Sequence, residues 1–127
     1  MTTIRIWCGY RADQKNEIRF VVFDGERLDA LTYAPGGRTV EWTFYRVYDG
    51  RCVVQEVRWG VNCDLGVVYV FRNVVEACAR FAADFARVDA DLERVPEYRA
   101  VAARAEPSNA PVVTLDEYCE LLKAEED

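Results

Sequence analysis

The apolar period of this chain changes once, from two residues to about 3.6, and the change falls between Phe71 and Val74. Everything before it reads as strand and everything after it as helix. Parallel strands need a crossover between each pair, usually helical, and no convincing helical pattern precedes Asn73. β-α-β winding is therefore disfavoured. Strands followed by helices predict an α+β fold: an antiparallel five- to six-stranded meander sheet, one long helix packed on one face, and one or two short C-terminal helices.

The strand half, residues 1–72, alternates over Thr3–Tyr10, Glu17–Phe23 and Arg27–Ala34, with Asp24-Gly25 and Pro35-Gly36-Gly37 as turn signals. Its strongest unit is Arg38–Trp59, two aromatic and β-branched runs that meet at Asp49-Gly50. A two-residue turn there makes Arg46 face Val53, Phe44 face Gln55 and Glu41 face Arg58. In that register Val40, Trp42, Phe44, Val53, Val57 and Trp59 form a core face, and Tyr45, Val47, Cys52 and Val54 form an apolar patch on the reverse. Leu65–Phe71 is apolar on both faces, as an interior strand requires.

In the second half, Asn73 and Glu76 form a helix-start signal before a stripe of Val74, Cys78, Phe81, Phe85, Val88 and Leu92. Glu76 and Arg80 stand in the favourable i,i+4 order. Pro96 ends or kinks this helix, and residues 97–105 suit a short second one. A helical layer over 73–105 is thus followed by a linker, 106–113, and an acidic helix, 114–127. That last helix is opened by a Thr114/Glu117 capping box and has Leu115, Tyr118, Cys119 and Leu122 on its apolar side. With 127 residues the chain is expected to be one domain.

Composition matters chiefly for what it removes. There is no histidine, and Ser108 is the only serine. A Ser-His-Asp triad, a Cys-His pair and a His-ligated metal cannot be built within one chain. Five cysteines, Cys8, Cys52, Cys63, Cys78 and Cys119, are spread singly, without a C-x-x-C spacing, and are expected as reduced, mostly buried hydrophobes. Cys63 lies beside Asp64, which opposes thiolate formation. The glycine spacings match no phosphate-binding loop. No cofactor or metal is expected. The N-terminal segment carries no signal-peptide pattern and no run is long enough to span a membrane, so a cytoplasmic protein without membrane contact is expected.

Charge divides the molecule more sharply than hydropathy does. Residues 1–72 hold ten Lys/Arg and nine Asp/Glu, and residues 73–127 hold six and thirteen, which gives the net −6. An acidic balance opposes direct binding of nucleic acid, although Trp42, Phe44, Arg46 and Tyr48, with Arg51 and Arg58, have the composition of a base-stacking platform. The leading expectation is a non-catalytic protein-binding module, an inhibitor, adaptor or nucleic-acid mimic, that occupies a basic surface on a partner protein. Its expected contact residues are Asp116, Glu117, Glu120, Glu125 and Glu126, together with Tyr45, Val47 and Val54 of the reverse patch. Two alternatives stand beside it. One is a ligand-binding or enzymatic domain with a pocket lined by Trp7, Trp59 and Tyr69; the other is a homo-oligomer, at its simplest a homodimer, formed through the open face of the sheet.

Overall fold

Alternating β-branched and aromatic residues favour a pleated surface with one face buried, and the chain spends its first half on such strands. The computed structural model describes residues 2–12, 15–33, 39–59, 63–88, 93–94 and 110–126. The elements are β1 (Thr2–Ala12), β2 (Lys15–Tyr33), β3 (Thr39–Val47), β4 (Cys52–Trp59), β5 (Cys63–Phe71), α1 (Val74–Val88), β6 (Glu93–Arg94), β7 (Val112–Thr114) and α2 (Leu115–Glu126). Strands β1 to β5 form an antiparallel meander, as expected. The sheet is nevertheless not open, because β5 returns to β1, with Gly9–Ala12 opposite Cys63–Gly66. Five strands thus close into a barrel-like ring.

Closure depends on the length of β2. Its 19 residues pair with β1 as far as Gly25, and from Gly25 onward with β3. Gly25 stands at the exchange, opposite both Thr2 and Val47. A Cβ there would lie 2.3 Å from the Arg46 carbonyl oxygen, so only glycine allows the two backbones this close. The sequence reading made Asp24-Gly25 a turn between two strands; the chain instead continues as one strand, with a register shift in the β2–β3 ladder between Arg27 and Asp29. Residues 34–38, the second expected turn, lie outside the described residues.

The β3–β4 turn also differs. Tyr48, Asp49 and Gly50 form a three-residue loop, with the Gly50 amide donating to the Val47 carbonyl (2.9 Å) and the Val47 amide to that of Arg51 (2.8 Å). Gly50 takes φ +95°, a left-handed value that follows the turn and restores the strand. One extra loop residue moves every pair by one: Phe44 faces Val54, Trp42 faces Glu56, and Glu41 faces Val57 rather than Arg58. Because side chains alternate, that slip sends half of each expected face to the other side.

Trp42, Phe44, Cys52 and Val54 now share the face under α1, packed with Ala77 and Phe81. Edge-to-face rings join the layers, Trp42 to Phe85 at 5.2 Å and Phe44 to Phe81 at 5.9 Å between centroids. Ala77, not Cys78, completes the buried stripe; Cys78 is exposed. A small side chain there lets the helix approach the sheet. On the opposite face Tyr45, Val47, Val53 and Val68 pack with Ile6, Val21 and Phe23, and with Leu115 and Tyr118 of α2. The face on which a homo-oligomer would depend is therefore occupied by the chain itself.

Only part of the expected long helix is described: α1 runs Val74–Val88, residues 89–92 lie outside the described residues, and Glu93–Arg94 pairs as strand with Leu31 and Thr32. The short helix expected at 97–105 lies outside the described residues as well. In the expected 106–113 linker, Val112 and Val113, with Thr114, form a parallel strand on Phe20–Val22. At the start of α1 the Asn73 side chain accepts from the Glu76 amide (2.9 Å). The Glu76 carboxylate turns back to Arg72, leaving Arg80 to pair with Asp84 (3.3 Å). Among the described residues no helix is long and apolar enough to cross a membrane.

Candidate docking surface

The candidate surface is built on α2, so its position follows from how that helix is held. Thr114 and Glu117 form the reciprocal cap the spacing predicts: the Glu117 amide donates to Thr114 Oγ1 (3.2 Å) and the Thr114 amide to Glu117 Oε1 (3.3 Å). β7 sets the entry to the helix, with the Phe20 amide donating to the Pro111 carbonyl (2.8 Å). Leu115 and Tyr118 enter the core, and the Tyr118 hydroxyl donates to the Val68 carbonyl (2.9 Å). Burial pushes that phenol well above its ordinary pKa. The apolar side of α2 is fixed inward, so its acidic side faces out.

Arg51 ties this helix to the hairpin. Its guanidinium reaches Asp49 (2.8 Å) and Asp116 (3.0 Å). Hydrogen bonding from Arg51 holds the Asp49 carboxyl below the usual range, and Asp49, with Asp116 adding to it, raises the Arg51 guanidinium in turn. Between hairpin and helix lies a cleft of about 300 Å³, with Phe23, Val47 and Leu115 among its apolar walls and Asp24, Tyr48 and Asp116 at its edge. Thr3 donates its hydroxyl to Asp24 (2.9 Å) on the far side. Tyr48, at the hairpin tip, is 67% exposed.

The expected contact residues fall into two groups. Asp116, Glu117, Glu120 and Glu125 are exposed on α2; Glu126 is in its last turn, and its side chain lies outside the described residues. Their carboxylates are partly engaged: Asp116 by Arg51, Glu117 by the cap and Glu120 by Lys123 (3.4 Å). At exposures of 84% for Asp116 and 74% for Glu120, those pairs stay hydrated and contribute little. Tyr45, Val47 and Val54 are buried, and they face different ways: Tyr45 and Val47 toward α2, Val54 toward α1. The hairpin register removes the apolar patch they were expected to form. Tyr48, which sequence reasoning placed on a stacking platform, is instead the exposed aromatic beside the acidic helix. Its place in a turn after a buried strand is the signal that could have found it.

The other candidate sites dissolve on geometry. Trp42 and Phe44 lie beneath α1, and the arginines of the supposed platform are matched by carboxylates, Arg46 with Glu26 (3.0 Å) and Arg58 with Glu56 (3.1 Å). Glu56 also accepts from Trp42 Nε1 (2.7 Å), which satisfies an otherwise buried carboxylate. Trp7 and Trp59 pack in one cluster and Tyr69 in another. Cys63 begins β5 and its side chain lies outside the described residues. Among the described residues no group of three or more metal-ligating side chains converges. Comparison with known proteins adds no identity, since no family model, curated protein or solved structure matches the chain.

Proposed function

We propose that the chain is a non-catalytic protein-binding module that docks on a basic surface of a partner protein, in the manner of an inhibitor or adaptor. The observation that carries this reading is the exposed Tyr48 ring at a cleft lined also by Asp24, Arg51 and Asp116, the last on a helix that also exposes Glu117 and Glu120. Interfaces are commonly anchored by an aromatic side chain within a polar rim. Clustered charge of one sign also accelerates encounter with an opposite surface. The weak surface pairs of Asp116 and Glu120 leave both carboxylates open to a partner's cations.

A lysine- and arginine-rich peptide, titrated into the labelled protein and followed by amide chemical shifts, tests the reading. Shifts are expected along the outer side of α2 and at Tyr48, and binding is expected to weaken with salt and in D116N/E120Q. Affinity indifferent to both salt and neutralisation would remove the electrostatic basis of the proposal. A nucleic-acid mimic is the narrower form, and it requires that the protein displace DNA from a basic DNA-binding domain in a gel shift.

A further inference from the structure

A second cleft, of about 220 Å³, opens at the other end of α2, between that helix and β1, β2 and β5. Its floor includes Gly9 and Gly66, which face each other in the β1–β5 ladder and contribute only backbone. Neither glycine is replaceable in place: Gly9 has φ +117° and a Cβ would lie 2.1 Å from the Glu17 carbonyl oxygen, while at Gly66 it would lie 2.6 Å from the Trp7 ring. Leu121, Leu122 and Val67 supply apolar wall. The Tyr118 hydroxyl is already committed to Val68, so this residue is wall as well.

Two opposite charges line the cleft from different elements. Arg19 comes from β2 and Glu125 from the last turns of α2, and among the described residues neither is in an ion pair. Both act on the same neighbour, since the Cys8 thiol, pushed up by burial, is lowered by Arg19 and raised by Glu125. A cation and an anion thus share one small, partly apolar space without neutralising each other at contact distance. An arginine fork matches a carboxylate in two parallel bonds, and a glutamate matches an ammonium. The volume is below the roughly 300 Å³ at which drug-sized sites begin, which fits a small metabolite.

We infer that this cleft binds a small zwitterion, an α-amino acid with an aliphatic side chain, whose carboxylate lies on Arg19, whose ammonium lies toward Glu125 and whose side chain rests on Leu121 and Leu122. The inference does not rest on the docking role, whose tested carboxylates, Asp116 and Glu120, are not among the residues lining this cleft. Amide chemical shifts of the protein, titrated with L-leucine, test it. Saturable shifts are expected at Gly9, Gly66 and Leu121, whereas isoamylamine and 4-methylpentanoate, each lacking one charge, produce none that saturate in the same range. R19Q and E125Q are each expected to weaken L-leucine binding by tenfold or more while the rest of the spectrum is preserved, and R19K to retain part of it. Equal binding of the single-charge analogues, unchanged affinity in R19Q, or no saturable shift with L-leucine would overturn the inference. D116N/E120Q, which leaves this cleft intact, is expected to bind L-leucine normally, so failure here and failure of the docking role are separable.

Discussion

Individual atoms decide two features of this molecule. At Gly25 the absent Cβ lets β2 pass from one partner strand to the next. Gly25→Ala is therefore expected to destabilise by about 1–3 kcal/mol, the range of an overpacked interior, because the obstructing atom is backbone and cannot rotate away. Urea unfolding measures it, and a change below the error of the extrapolation would mean that the strands have room to part. Arg51 is the second feature. It joins Asp49 to Asp116, but the pair with Asp116 is too exposed to contribute more than a few tenths of a kcal/mol. The Asp49 carboxyl has a lowered folded-state pKa. Its contribution is thus complete above the unfolded value, about 4, and is lost as pH falls through the lower folded value. Arg51→Met is expected to be slightly less stable at pH 7 and to lose less stability than wild type between pH 5 and 3. Parallel acid-unfolding curves for the two proteins would contradict this.

Among the elements, the two helices show opposite relations between pattern and outcome. α2 was legible at once, because a capping box and an apolar stripe agree on its start and its inward face, and neither depends on distant residues. Thr114→Ala removes the cap acceptor and is expected to lower stability by about 1 kcal/mol. Hydrogen exchange should show the loss concentrated in the first turn of α2; uniform loss throughout the barrel would mean the cap is not local. α1 was legible in kind but not in extent. Its stripe continues in the sequence to Leu92, yet by Glu93 the backbone pairs with β2, since a free strand edge accepts hydrogen bonds that helical periodicity does not encode. Cys78 and Ala77 are adjacent ways of continuing one stripe, and only the distance between helix and sheet chooses the smaller.

At the scale of the whole molecule, the strand meander closes on itself and α2 packs against the same core, so the contacts that define the fold join distant parts of the chain. β1 meets β5, and β7 meets β2 across most of the sequence. Because loop closure must precede such contacts, folding is expected on the millisecond-to-second scale of non-local β proteins rather than the microsecond scale of helical bundles. Stopped-flow tryptophan fluorescence measures the rate, with Trp7 and Trp42 buried in separate clusters. Microsecond folding would imply that local structure, not ring closure, limits the reaction.

The sequence by itself determined the five-strand antiparallel meander ahead of the first helix, the capped acidic helix and the concentration of carboxylates at its end, since periods, caps and charges are local properties, whereas β6 and β7 after α1 were not foreseen. Only the tertiary structure decided the hairpin register, the exchange of β2 between partners and the closure onto β1. Those choices turn on single-residue shifts and backbone approaches between segments far apart in the chain. For the same reason Tyr45, Val47 and Val54 went to the interior while Tyr48 and the α2 carboxylates stayed outside. An alternating strand states which residues share a face, and its partners decide which face is buried.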